Sequence, residues 1–408
     1  MAEYEKDSTT MIKNYRQTFN ANFSEEKYQS FLKQLGQGYP EITFRVAESP
    51  IFISEELKQQ LIVAGNEIIT LIKQDNFKQL TQSAIPPKWM VPNENDHPHF
   101  LTFDFALCKA DNGTIAPMLI EMQGFPSLYG FQAHLANTYK SAYHLNQQLT
   151  PFFNGLTEEA YFDLLKKVVV GKHQPHEVVL MDIDAPNQKT VIDFYITADK
   201  IGIKVLSLDD IKREGKKLFY LKGSEKIQIK RIYNRLIFDE IADNTAVFEN
   251  SFDPREELDL EWITHPNWFY RISKYTMPFL KSKFVPETQF LHEVKSIPSD
   301  LENYVLKPLF SFAGMGVIID VKKSDITSIK DPENWILQRK VNYEPVVESP
   351  SGGVKAELRL MYLWPDHEEP QLCINLARLS RGKMIGVRYN ADFDWVGGTV
   401  GLMNGSPY

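Results

Sequence analysis

The chain has 408 residues, 43% of them hydrophobic and 24% charged, which is too long for one ordinary domain and apolar enough for a large core. Its 45 basic and 53 acidic residues give a net charge of −8, so electrostatics argue against a nucleic-acid or anionic-membrane surface. No apolar run approaches the roughly 20 residues of a membrane helix, the N-terminus lacks a basic-then-apolar signal pattern, and the two cysteines, Cys108 and Cys373, imply no disulfide framework. The expectation is a reduced, cytoplasmic protein.

Residues 1–50 are polar and read as helical, with a segment at Glu25–Leu35. Ser54 can cap a helix carrying Leu57, Leu61, Ala64, Ile68 and Ile72 at helical spacing. Loops are expected at Pro86-Pro87 and from Pro92 to Pro98. Then comes the most informative stretch: Phe103-Asp104-Phe105, a turn at Asn112-Gly113, and Leu119-Ile120-Glu121-Met122-Gln123. Alternate strand residues face one way, so Glu121 and Gln123 project together and a hairpin can set Asp104 beside them. Three hard oxygen donors of this kind suit Mg²⁺ on nucleotide phosphates, although lone carboxylates are usually solvated surface groups. Pro126 opens a connection into a helix expected near Ala133–Leu149, and Asn154-Gly155 turns into another at Thr157–Val170.

Near Glu177 the texture changes. Val178–Asp182, Ile203–Leu208 and Ile227–Tyr233 read as strands, with a helix at Thr190–Ile201 stopped by Gly202, which predicts a small parallel α/β unit. Residues 246–283 read as mainly helical and aromatic. Strands follow at Tyr304–Leu306, Gly316–Asp320, Trp335–Val341, Glu357–Trp364 and Leu372–Leu379.

Three constellations lie in this last part. Lys307 at a strand end precedes a small-residue loop with Gly314 and Gly316, an arrangement that can grip phosphate but also reads as a plain hairpin turn. Gln338, Lys340 and Val341 end a strand that can face an adenine edge, and Glu344 can reach ribose hydroxyls; a buried strand and a loop carboxylate would look the same. Glu357 and Arg359 share a strand face, as do Arg378 and Ser380, offering guanidinium forks for phosphate or carboxylate, or a surface Arg–Glu ladder. Asn390 and Gly397-Gly398 follow.

The order of these parts resembles ATP-grasp ligases such as glutathione synthetase and D-alanine–D-alanine ligase. There the order is a lysine-bearing helix, a lysine strand, a glycine loop, a hinge strand, an acid-x-arginine strand, an arginine strand, and last an acidic metal hairpin. Residues 267–398 follow that order, with Ser273-Lys274 before Phe284-Val285-Pro286 and with Lys281 as a competitor for the first lysine. The hairpin instead stands upstream at 103–123, as in glutathionylspermidine synthetase-like proteins, whose sequences are circularly permuted. Gln123 stands where the family usually has Asn, and Phe310 and Phe312 make the loop bulkier than usual.

The resemblance implies an α/β protein of α+β lobes: a circularly permuted ATP-grasp fold with a small parallel α/β pre-ATP-grasp domain. It divides into an N-terminal helical region plus metal hairpin (1–170), the small α/β domain (171–250) and the nucleotide lobes (251–408). It implies ATP and Mg²⁺ as cofactors. Lys274, Lys307, Gly314, Gly316, Gln338, Lys340, Val341 and Glu344 would hold nucleotide, with Arg378 and Lys307 as catalytic groups and Asp104, Glu121 and Gln123 on the metal. The implied activity joins a small-molecule or peptide-like carboxylate to an amine through an acyl phosphate. The alternatives are a non-catalytic ATP-binding protein and a kinase acting on a hydroxyl. Lys88, His97, His99 and the turn at Gly124–Gln132 are candidates for the substrate pocket; oligomeric state is not legible.

Overall fold

The computed structural model describes residues 11–110, 113–241, 245–249, 251–310, 316–382 and 390–405. The polar N-terminal part forms helices α1 (Lys13–Asn22) and α2 (Glu25–Leu35), strand β1 (Ile51–Phe52) and helix α3 (Glu55–Ile72). Ser54 caps α3, its Oγ accepting the Leu57 N–H at 3.2 Å, and Leu57, Leu61, Ala64, Ile68 and Ile72 are all buried. After a single turn, α4 (Phe77–Leu80), the acidic hairpin forms as β2 (Phe100–Lys109) and β3 (Ile115–Gln123).

Helix α5 runs Tyr129–Ala142, earlier than the sequence suggests. The reason is tertiary: Asp193 takes the Leu128 and Phe131 N–H groups at 3.0 and 2.9 Å, capping the helix with a carboxylate from 62 residues away. Strand β4 (Leu149–Thr150) and helix α6 (Glu158–Val170) follow.

The small parallel unit is present: β5 (Val178–Asp182), α7 (Val191–Ile201) and β6 (Lys204–Ser207). The segment read as one strand at 227–233 is two. After β7 (Lys212–Glu214) and β8 (Lys217–Lys222), strand β9 (Glu225–Ile229) completes a small antiparallel sheet, whereas β10 (Arg231–Asn234) joins the parallel one. Lys230 is the switch, its N–H bonding Glu177 and its carbonyl accepting from Glu261. The fourth parallel strand is β11 (Glu261–Ile263), giving the order β11-β10-β5-β6. Residues 246–283 are thus not mainly helical; Pro254, Pro266 and Pro278 break the run into short turns.

Beyond them, β12 (Thr288–Phe290), β13 (Tyr304–Pro308) and β14 (Trp335–Arg339) form a three-stranded antiparallel sheet. The strand expected at 316–320 is reduced to one bridge, Ile318 to Leu306. The last strands are β15 (Val347–Ser349), β16 (Gly352–Leu363), β17 (Gln371–Ser380), β18 (Gly397–Thr399) and β19 (Gly401–Asn404). Strand β2 pairs antiparallel with β16, and the large sheet runs β18-β17-β16-β2-β3, so segments about 250 residues apart in sequence form one surface. One face is apolar, carrying Phe103, Phe105, Leu358, Leu360 and Leu379 into the main core with α3 and α5. Helix α3 approaches β16 so closely that a Cβ on Gly65 would lie 2.0 Å from the Tyr362 hydroxyl. The other face bears the charges.

Candidate functional site

Antiparallel register puts directly opposed residues on the same face. In the large sheet Glu121 opposes Asp104, Asp104 opposes Arg359, and Glu357 opposes Arg378. Five charged side chains therefore share one patch. Strict alternation would set Leu119 and Glu121 on one face, yet Leu119 is fully buried in the apolar core. A bulge resolves the conflict: Phe105 pairs with Leu119 while Asp104 pairs with Glu121, leaving Ile120 unopposed. Its carbonyl accepts from Lys307 Nζ at 3.2 Å.

Within the patch, Arg359 grips Asp104 with two bonds, Nε to Oδ1 at 2.5 Å and Nη2 to Oδ2 at 2.7 Å. Arg378 Nη2 also donates to Asp104 Oδ2, and its Nε to Glu357 Oε2 at 3.0 Å. The Tyr343 hydroxyl donates to the other Glu357 oxygen. Lys274 lies in the turn Lys274–Phe279 capped by Ser273, and its Nζ meets Glu121 Oε1 at 3.3 Å. Lys307 Nζ donates to Gln338 Oε1 at 2.7 Å, while Gln338 Nε2 bonds Thr288 Oγ1 at 2.9 Å. Lys281, the competitor of Lys274, is exposed.

The charges shape one another. Burial pushes the Asp104 carboxyl up, but Arg359 and Arg378 overcome it and hold the group below the usual carboxylate range. Glu357 is pushed up by burial against the pull of Arg378, with Asp104 and Glu121 adding to the rise. Burial, then the charge of Lys274, lowers Lys307 to about 8. Arg378 moves upward: burial works against its charge and is outweighed by Asp104, Glu357 and Glu121.

Of the expected residues, Arg378 thus contacts Asp104, Lys274 contacts Glu121, and Lys307 contacts Gln338 and the carbonyl next to Glu121. Gln123 is half-buried on the same strand, opposite Thr102. Gly314 lies outside the described residues. Gly316 adopts φ +74°, with Pro308 Cγ 3.1 Å from where a Cβ would stand. Lys340 is turned elsewhere, its Nζ donating to the Glu302 carbonyl at 2.7 Å. Val341 and Glu344 are half-buried in the crossover between the two antiparallel sheets, where Glu344 N–H bonds the Leu107 carbonyl. His99 is buried in a junction, with Nε2 2.9 Å from Asp366 Oδ1, and Arg231 donates to the other Asp366 oxygen; His97 stacks on Trp364.

Tyr343 and Arg235 carry no signal in the sequence, and Arg359, legible there as a fork for phosphate or carboxylate, is instead the clamp on Asp104. Arg359 was visible through its spacing from Glu357. Arg235 has no motif, but its position is informative. It follows β10 at the point where the parallel sheet reverses: β5 connects through α7 to β6 on one side, and β10 lies on the other. Ligands in open α/β sheets bind at such switch points, beyond the carboxyl ends of the strands. Arg235 is only 7% exposed, and its Nε and Nη1 have no hydrogen-bond partner among the described residues. It stacks over Phe125 with its Cζ 4.5 Å from the ring centre, two residues beyond Gln123.

Asp104 does not fit Mg²⁺ as an open ligand. Both Asp104 oxygens are held by guanidinium groups and the side chain is 2% exposed. No helix among the described residues is long and apolar enough to cross a membrane.

No protein-family model matches this chain, and no curated protein matches it by sequence. Among solved structures, it is similar to a glutathione synthetase-like effector from Globodera pallida in its apo form. The match has a TM-score of 0.60 at 9% sequence identity and covers 95% of this chain and 97% of that one. The chain therefore has a glutathione synthetase-like fold, of mixed α/β class with several sheets.

Proposed function

We propose that this protein is an ATP-dependent carboxylate–amine ligase of the circularly permuted ATP-grasp type. The observation that carries the reading is the pairing of β2 with β16, which sets Asp104 and Glu121 beside Arg378, Lys274 and Lys307. An upstream hairpin completing a downstream lobe is what a permuted order of parts requires. The fold likeness is in keeping with it.

In this reading Lys274 and Lys307 hold the phosphate chain and Arg378 faces the transferring phosphoryl group. The substrate carboxylate oxygen attacks the γ-phosphorus, the bond to the β-phosphate oxygen breaks and ADP leaves. The amine then attacks the acyl carbon, phosphate departs with the bonding pair, and the nitrogen gives up a proton. The chain's contribution is placement and charge neutralisation. The Arg235 guanidinium, whose Nε and Nη1 have no partner among the described residues, offers a place for an acidic group of the substrate.

One observation favours the non-catalytic alternative. Every carboxylate of the patch is already paired with a protein donor, as in a site that holds nucleotide without turning it over. The deciding experiment screens amino acids, short peptides and polyamines for ADP release dependent on both a carboxylate and an amine, with products identified by mass. An amide product supports the ligase. A phosphate ester would replace it with the kinase, and nucleotide binding without turnover on any pair would favour the non-catalytic reading. Arg378→Met should lower turnover by roughly 10²–10³, the usual loss when a transition-state charge partner is removed.

A further inference from the structure

The first carboxylate of the acidic hairpin, Asp104, is committed to arginine. Asp104 is clamped by Arg359 through both oxygens and by Arg378 through one. Glu357 is closed by Tyr343 and Arg378, and Glu121 meets Lys274. A small hard cation requires near-octahedral oxygen donors at short range. On Asp104 it would stand against two guanidinium groups within one hydrogen-bond length of the same carboxylate. Displacing them would leave Arg359, 6% exposed, as an unpaired buried charge. Arg378, by contrast, is built to act outward. Its Nε and Nη2 are fixed by Glu357 and Asp104, its Nη1 takes no part in these bonds, and a third of the side chain is exposed.

Resting on the nucleotide reading above, we infer that the triphosphate is held here by arginine and lysine without a divalent cation. Arg378 provides the charge that a metal would bring, and Asp104 is a positioning residue that aims it. This changes what the site recognises: the free nucleotide anion is bound as well as its magnesium complex.

The test is calorimetric titration of the full chain with a non-hydrolysable ATP analogue, once in excess MgCl₂ and once in EDTA. The dissociation constants should agree within about fivefold, a difference near 1 kcal/mol. A larger loss of affinity in EDTA overturns the inference and leaves the nucleotide site standing. Absence of binding in both media removes the nucleotide site and the inference together. Asp104→Asn, checked for folding by its melting transition, gives the second arm. It should weaken binding by the same factor in both media, because it acts through Arg378. A loss confined to the magnesium medium would make Asp104 a cation ligand, and no loss in either would end its positioning role; both results overturn the inference. The wild-type comparison stands whether or not this variant folds.

Discussion

Lys307 is the residue whose surroundings say most about its use. It is buried against two neutral acceptors, Gln338 Oε1 and the Ile120 carbonyl, with Lys274 nearby, and burial with that second charge lowers it to about 8. A lysine so placed carries its charge chiefly below that pH, and in the proposed site a bound phosphate would restore it. Nucleotide binding should therefore take up a proton near pH 8, and affinity should fall about tenfold between roughly pH 7 and 9. Calorimetry in buffers of different ionisation enthalpy measures the uptake; equal heats in wild type and Lys307→Met would show that Lys307 does not touch phosphate. Tyr343 makes a companion case. It closes a buried carboxylate, so Tyr343→Phe should lower stability by about 1–3 kcal/mol, the range for a buried acceptor left unpaired. Because Tyr343 and Glu357 act through one bond, Glu357→Gln should destabilise less in the Tyr343→Phe background than alone. Additive urea-denaturation energies would contradict that coupling.

At the scale of elements, the bulge in β3 is the feature on which the site turns. It lets Leu119 enter the core and Glu121 the charged face, and it frees the Ile120 carbonyl for Lys307. Deleting Ile120 should leave Phe105 opposite Leu119 and Asp104 opposite Glu121, so far-UV circular dichroism should be unchanged. Nucleotide affinity should drop about tenfold, in line with a lost bond to a charged group. Unaltered affinity would make the bulge incidental. The bulge also shows what a sequence hides. Asp104, Glu121 and Gln123 were readable as a hairpin because alternation and turn residues are local signals. Helix α3 and the parallel strands were readable for the same reason: capping at Ser54 and runs such as Val178–Asp182 need no distant partner. The bidentate clamp on Asp104 was not readable: the permuted order puts 101–123 and 357–398 in one sheet, but not the register that sets Arg359 opposite Asp104. The early start of α5 was not either, because its cap is Asp193 on another helix. The helical reading of 246–283 passes over the three prolines that decide it.

At the scale of the whole molecule, the parallel sheet and the large sheet are joined by a junction rich in buried, uncharged histidine. Thr264, just after β11, accepts the His99 N–H at 3.1 Å at the start of β2. His265 sits 2.9 Å from the Pro92 carbonyl on the loop leading there. Burial lowers His265 to about 4, far under its ordinary value, despite the pull of that carbonyl and of Glu94. His99 moves the same way for the same cause, and Asp366, held low chiefly by its bond to His99, stays ionised throughout. The sign follows. A histidine whose folded value lies below its unfolded value of about 6.5 contributes fully above that pH and loses its contribution as pH falls below it. For His265 alone the loss between about pH 7.5 and 5 is roughly 2 kcal/mol, and His99 adds to it. Asp366 adds little over this range, because its own loss, which has the same sign, begins only below about pH 4, where an unfolded carboxyl takes its proton. His265→Gln keeps a donor for the Pro92 carbonyl and removes the titration. Urea denaturation at the two pH values should therefore show a difference smaller by roughly 2 kcal/mol in the variant than in wild type. An identical difference in both would mean that the junction is not where acid loosens the molecule, and that the seam between the two sheets resists protonation for some other reason than these buried rings.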